Sequence, residues 1–387
     1  MPVQAIIIIF AVRTAHVNAA KGTLMKIIDW YILKKFLVTF FFCLIALTVL
    51  VVIIDLSEKT DDLNKTGLPV EAIITQYYFG FIPRITAMLF PLFIFIAVIF
   101  FTSKMANRSE VIAILSSGVS FRRFLLPYFI GGIFFTALLW WTNQYILPPA
   151  NQKWATFNAK YIDFNYGGYV NTSTISNKYF RLDSFSYAGI RYYDTTSKTG
   201  SNFFIQRFDS TNLVYNMRAQ TIKWDTSVNK WQLEQVTERT INGLRQQLSS
   251  TPTKHMNFNF KPRDLQRDDY MKDKMSTPEL NEFIQLEKLR GSENVNALIL
   301  EKQNRNANPV SVLILTLIGA VLASRKIRGG SGFHLALGVL ICVLYILIGR
   351  FAAVFSLKAD FNPIVAAWLP NVAFGLLAWF LYKRAAK

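Results

Sequence analysis

Three long apolar stretches, a polar block from residue 148 to residue 308, and three more apolar stretches make up nearly the whole chain. The stretches cover residues 36–54, 85–103, 124–147, 309–324, 332–351 and 361–382. A bilayer core takes about 20 apolar residues wound as a helix, so each stretch reads as one span. This layout places the chain in a membrane and puts a folded domain on one side of it. Composition agrees: charged residues make up 17% of the chain, where an ordinary soluble domain carries roughly a quarter. Phe contributes 33 residues, which suits helices that face lipid.

A net charge of +18 first suggests nucleic acid. The distribution excludes it. The polar block holds 22 Lys and Arg against 16 Asp and Glu, and the remaining 20 basic and 8 acidic residues gather mostly at span ends. Basic residues in short loops mark the cytoplasmic side. Lys26, Lys34 and Lys35 precede the first span. Lys104, Arg108, Arg122 and Arg123 separate the second and third. Arg325, Lys326 and Arg328 separate the fourth and fifth, and Lys383, Arg384 and Lys387 follow the sixth. The opposite short loops hold only Lys59, Lys65 and Lys358. Both termini are thereby expected in the cytoplasm, with the polar block outside. Cys43 and Cys342 lie in apolar runs, and His16, His255 and His334 are scattered. Neither a disulfide framework nor a metal-ligand spacing results.

Residues 1–24 read as an upstream mis-start or a disordered extension, with Met25 as the natural start; a short interfacial helix is the alternative. Residues 25–147 then carry the first three spans. Pro83 and Pro91 are expected to bend the second, and Pro148-Pro149 to end the third. Residues 148–275 read as an all-β domain, because Tyr-, Phe-, Thr- and Val-rich runs alternate with Gly, Asn, Asp and Ser clusters. Strand candidates are 178–182, 201–208, 220–225 and 230–236, the last two joined by a turn at Thr226-Ser227-Val228-Asn229. Many short strands of this kind suggest a sandwich or jelly roll. Residues 276–308 read as a helical connector that starts with Thr277 as cap and Pro278 at the first position. It presents Leu280, Phe283 and Ile284 on one face and breaks at Gly291. Val295, Leu298 and Ile299 then lead toward Pro309 and the last three spans, 309–387.

The loop between spans two and three is the most informative short segment. Ser109 can cap a helix from Glu110 to about Ser117, Glu110 suits its first turn, and Gly118 can supply a left-handed stop. Val111, Ile112, Leu115 and Val119 form an apolar side, and Arg108 stands just ahead. From the residues alone two readings stay open: a docking helix for a cytosolic partner, or a plain interfacial helix that binds nothing.

The run Asn107-Arg108-Ser109-Glu110-Val111-Ile112-Ala113-Ile114-Leu115-Ser116-Ser117-Gly118-Val119-Ser120 resembles the SE-x-x-A-x-x-(A/S)SG-x-S segment of the LptF/LptG (YjgP/YjgQ) permeases. Three further segments resemble that family in order and spacing: the run from Ile28 to Phe36, the run from Asp55 to Asp62, and the run from Arg325 to Gly332. The resemblance implies a membrane α-helical fold of six transmembrane helices with an inserted periplasmic all-β jellyroll domain, in the bacterial inner membrane. It also implies a job. Two such permeases join a dimer of ATP-binding subunits as an ABC transporter. That transporter extracts lipopolysaccharide and passes it to a periplasmic jellyroll bridge protein. The helix that starts at Glu110 would be the coupling helix, with Glu110 meeting a basic groove on the ATPase. F-like and G-like members share these motifs.

The chain has no G-x-x-x-x-G-K-[ST] loop to cradle phosphates, and Gly329-Gly330-Ser331-Gly332 reads as a tight turn. ATP and magnesium are therefore expected on the partner ATPase, with no cofactor on this chain. Lys59, Arg84 and Arg350 are candidates for lipid phosphates, since an intramembrane or interfacial cation is costly and often functional; snorkelling or an acid such as Asp55, Glu58 or Asp360 is the alternative. Phe180, Phe185, Phe204 and Trp224 are candidates for the interior of the β domain, as lipid-lining or ordinary core residues. Two other classes stand as alternatives. A membrane enzyme has only Asp61-Asp62 as a close acidic pair near the outer surface. A tether, or a subunit of another ABC-type lipid or lipoprotein export system, conflicts with six spans because those systems carry four per subunit.

Overall fold

The computed structural model describes residues 26–162, 174–265, 271–292, 294–326, 330–359 and 361–385. The expected upstream extension at residues 1–24 lies outside them, as do Ile327, Arg328, Gly329 and Asp360. The chain falls into two compact units. One is drawn from Met1–Glu58, Phe81–Leu147 and Gln303–Lys387, the other from Lys59–Gly80 and Pro148–Lys302.

Among the described residues six helices are long and apolar enough to cross a membrane. They are α1 (Ile27–Lys65), α2 (Val70–Asn107), α4 (Phe121–Ile162), α6 (Val295–Ala323), α7 (Gly330–Lys358) and α8 (Pro363–Ala385). Two shorter helices are α3 (Glu110–Ser116) and α5 (Thr277–Arg290). Several helices outrun the apolar windows because Ser, Asp, Glu and Lys continue a helix once it leaves hydrocarbon. The polar residues that follow span one are the last part of α1, which stops at Lys65 before Gly67 at φ +65°. Likewise Pro148-Pro149 does not end the third span. A π-helical turn, Thr142–Ile146, comes just before it, and π-turns absorb such breaks in the i→i−4 ladder. The carbonyls four residues back, which a proline cannot bond, belong to Gln144 and Tyr145, both in that turn.

In the first unit the core runs through α1, α2, α3, α4 and α6. Phe36, Phe40, Phe93, Val98, Val111, Ile114, Phe124, Tyr128, Phe135 and Val312 are all buried in it. A second cluster joins α2 and α6 to α7 and α8 through Phe95, Ile99, Leu315, Cys342 and Phe374. The most apolar windows of α2, α4 and α6 are 50%, 44% and 61% buried, those of α1 and α7 only 11% and 17%. Helices α1 and α7 are therefore the peripheral ones. Pro309 inside α6 has no N–H for the Arg305 carbonyl. Asn143 of α4 donates its Nδ2 to that carbonyl at 3.4 Å, and Trp140 and Gln144 both donate to Asn306 Oδ1 beside it, at 3.1 and 3.3 Å.

In the second unit six antiparallel strands form one sheet in chain order: β1 (Thr174–Arg181), β2 (Ser186–Asp194), β3 (Thr199–Asp209), β4 (Asn212–Asp225), β5 (Lys230–Asn242) and β6 (Arg245–Met256). The inserted all-β domain is as expected from the sequence. Its described strands pair only with their sequence neighbours, as in a meander. The turn at 226–229 forms as read, with Asn229 at φ +53° and Ser227 N–H donating to Asp225 Oδ1 at 2.8 Å.

One row crosses the sheet. Asn177, Asn202 and Gln235 have φ of +54°, +53° and +52°. The pairing steps over this row in every strand pair, as in Ser176↔Tyr192 followed by Lys178↔Ile190. At the same row buried residues stand three apart instead of two: Ile190/Tyr193, Gly200/Phe203, Ala219/Ile222 and Leu233/Val236. Strict alternation would turn one half of each strand outward. The extra residue creases the sheet so that both halves face one core, built on Trp231, Phe203, Tyr193, Met217 and Phe260. Trp231 donates its Nε1–H to the Phe260 carbonyl at 3.0 Å, so this buried indole is satisfied.

Helix α5 starts one residue earlier than read: Ser276 is the cap, and its N–H donates to Glu279 Oε2 at 2.9 Å. Gly291 ends the helix at φ +68°. Leu280, Ile284 and Leu298 are buried together, with Phe283 and Ile299 packed beside them.

Candidate coupling segment and lipid-facing residues

Residues 108–123 form a helix, a turn and the start of α4. Gly118 at φ +88° stops α3, and its N–H donates to the Leu115 carbonyl at 3.1 Å. Ser109 is left-handed at φ +61° and its side chain makes no cap bond, unlike the capping role read from sequence. Val111 and Ile114 are buried, and Leu115 and Val119 pack against the same cluster. Ile112 does not join them. It is 52% exposed, because on a helix the residues that share Val111's face are three and four positions on, Ile114 and Leu115. Ile112, Ala113, Ser116, Arg108 and Gly118 are all exposed, so the open side of the segment is small, partly apolar and next to a cation.

Glu110 is turned inward. Its Oε2 accepts from Lys35 Nζ at 3.1 Å and from Tyr31 OH at 3.2 Å, both on α1, and its side chain is only 10% exposed. The Lys35 ammonium also sits 4.2 Å from the centre of the Tyr31 ring, a favourable cation–π distance. At the other end of the segment Arg123 pairs with Asp29 of α1. Asp29 is 3% exposed and also accepts the Lys26 N–H at 2.8 Å. Ser120 caps α4 by accepting from Arg123 N at 3.3 Å. Sequence reading missed Tyr31, Lys35, Asp29 and Arg123 as a group. The available signal was a lone acid among lysines at the start of an apolar helix.

The three candidate cations differ. Lys59 donates to Tyr77 OH at 2.6 Å and lies 5.0 Å and 6.0 Å from the Tyr77 and Trp154 rings. Arg84 is half-buried on α2. Arg350 is exposed on the peripheral α7, and among the described residues it has no hydrogen bond or ion pair; Asp360, one of the three acids suggested for these cations, lies outside them. Of the four aromatics, Phe180 stacks on Phe260 at 4.6 Å, and Trp224 meets Trp231 edge-on at 5.1 Å. Phe185 is 56% exposed in the β1–β2 turn, where its N–H bonds Asp183 Oδ1 at 2.8 Å. Phe204 faces away from the core because it stands between the inward Phe203 and Ile205. It meets Tyr179 across Gly189 and lines a depression of about 490 Å³ with Arg191 and Arg218.

The family model described as "Lipopolysaccharide export system permease LptF/LptG" matches residues 30–384. Two relatives are similar along their whole length. "Lipopolysaccharide export system permease protein LptG" of Escherichia coli strain K12 is 22% identical over 365 residues, covering 93% of this chain and 99% of that protein. The protein of the same name from Escherichia coli O6:H1 gives the same figures.

Proposed function

The chain belongs to the LptF/LptG family, and from that premise we propose that it is one permease subunit of an ABC transporter that extracts lipopolysaccharide from the bacterial inner membrane. The observation that carries this reading is the family match across residues 30–384, which takes in all six spans and the inserted sheet. The partners are a dimer of ATP-binding subunits, a second permease of the same family, and a periplasmic jellyroll bridge that receives the lipid. ATP and magnesium belong to the ATPase. The excess of Lys and Arg in alternate short loops supports cytoplasmic termini and a periplasmic β domain.

Roles follow from position. Helix α3 is the coupling helix, and Ile112, Ala113 and Ser116 are the side chains it offers to the ATPase. Helices α1 and α7, least covered by protein, flank the acyl chains. Arg350 on α7 presents a planar, always charged fork suited to a phosphate, whereas Lys59 is already held by Tyr77. The apolar interior of the creased sheet carries the lipid onward.

The test is to purify the tagged chain from membranes and to place the resulting complex in vesicles with lipopolysaccharide and a soluble acceptor. An ATPase and a second six-helix protein should co-purify, and lipid should reach the acceptor only when ATP is added. Purification without an ATPase, or release that ignores ATP, overturns the reading.

A further inference from the structure

We infer that the outward face of the β domain holds a binding site for the anionic sugars of the transported glycolipid, in the depression where Tyr179 and Phe204 lie beside Arg191 and Arg218. This deepens the transporter reading above and rests on it. Strand pairing puts Tyr179, Gly189, Phe204 and Arg218 in one row across β1 to β4. Gly189 makes the floor: a methyl group there would stand 2.6 Å from the Phe204 ring and 3.0 Å from that of Tyr179. The two ring centres are 6.3 Å apart at 56°, and Tyr179 is 69% exposed. The next row on this face is the crease, with Asn177, Arg191 and Asn202, all exposed. Together the two rows line a depression of about 490 Å³, and none of the described residues around it is acidic. Small-ligand sites occupy about 300–1,000 Å³.

Part of this arrangement has an ordinary cause. Asn tolerates left-handed backbone, so the crease alone accounts for Asn177 and Asn202. A ring leaning over a strand glycine is a common cross-strand contact. Neither cause calls for two guanidinium groups. Arg191 and Arg218 are exposed and make no hydrogen bond or ion pair among the described residues; Arg191 rests 5.7 Å from the ring of its neighbour Tyr192. Two cations around one hollow, with no acid to join them, give it a positive potential that attracts an anion. The lining then selects the guest. Arg takes a phosphate or carboxylate on two parallel bonds. The side-chain amides of Asn177 and Asn202 both donate and accept, as sugar hydroxyls do. The aromatic rings offer apolar surface to the C–H face of a sugar. The two-sided sheet selects the source. A glycolipid has an apolar and a polar end joined covalently. Acyl chains held on the inner face of the sheet leave the charged glycan to the outer one.

The experiment titrates the full chain, purified in lipid nanodiscs, with lipopolysaccharide whose acyl chains have been chemically removed. That probe keeps the sugars and phosphates and has nothing to place in the apolar core. It should bind, and Arg191→Gln and Arg218→Gln should each weaken binding about tenfold, the scale of one charge-assisted bond. Both side chains are exposed, so neither variant disturbs the core. Phe204→Leu, which keeps an apolar cover over Gly189, should weaken binding with both arginines in place. Arg245→Gln, the same loss of charge at the exposed start of β6, should change nothing. In the assembled transporter with ATP, a photo-crosslinker at Gln206, which also lines the depression, should capture intact lipopolysaccharide, and the double arginine variant should lose that capture. The proposal is overturned if the probe does not bind, if Phe204→Leu leaves binding unchanged, or if inorganic phosphate competes as well as the whole glycan. It is overturned as well if Arg245→Gln weakens binding as much as the other arginine variants, since a general cationic surface then suffices. Tighter binding of polyglutamate than of the glycan would give the face to an acidic protein, and binding without capture at Gln206 would take it off the path of the cargo; either sinks the assignment. A wild-type transporter that moves no lipid with ATP removes the transporter reading itself, and the titration still decides the site.

Discussion

Asn143 shows how one amide can repair a helix. Pro309 leaves the Arg305 carbonyl without its helical donor, and the Asn143 side chain supplies one from α4. Asn143→Leu keeps the size and removes the donor. A buried unsatisfied carbonyl costs about 1–3 kcal/mol, and the thermal unfolding of the detergent-solubilised protein should shift down accordingly; an unchanged midpoint would show that α6 satisfies the carbonyl in another way. In the β domain Glu238 plays a comparable part. Lys254 donates to its Oε1 at 2.7 Å and Tyr215 bonds it as well, which holds its carboxyl below the ordinary glutamate value of 4.5, Lys254 contributing most. A depressed carboxylate stabilises the fold in full above the unfolded value, and that share is lost as pH falls through the folded value. Stability of the sheet should therefore drop as pH falls below about 4.5. Glu238→Gln should flatten that dependence, as followed by hydrogen exchange of β4, β5 and β6.

At the scale of elements, the exposure of α1 and α7 predicts where lipid is met. Photo-crosslinking residues at Phe42 and Phe351, both exposed, should capture lipopolysaccharide. The same probe at Phe135, buried among aromatic rings, should not; capture at Phe135 alone would refute lateral entry along the peripheral helices. The six spans and the β insert were legible in the sequence because apolar runs of span length and short alternating strands are local patterns. Helix ends were less legible. Polar residues after Ile54 and prolines at 148 and 149 look like stops, yet neighbouring geometry carries the helix through. Phe204 was misplaced because its side depends on a crease that alternation does not announce. The partners of Glu110 were beyond reach, since Lys35 and Tyr31 lie 75 and 79 positions away.

For the whole molecule, the topology proposed for the short basic loops can be read by labelling. In a background with Cys43 and Cys342 replaced by Ser, a cysteine at Leu244, fully exposed in the β5–β6 turn, should react with a membrane-impermeant maleimide in intact spheroplasts. One at Ser117 should react only after the membrane is opened. The reverse pattern would invert the molecule and remove the export direction with it. The crease in the sheet has its own consequence for how such a domain can drift in sequence. Because neighbouring strands all step at the same row, losing one residue there from a single strand throws its far half out of register with both neighbours. Hairpin ends carry no such shared count. Gains and losses of residues should thus gather at the ends of strands, and residues near 177, 202 and 235 should keep their number even where their identity changes.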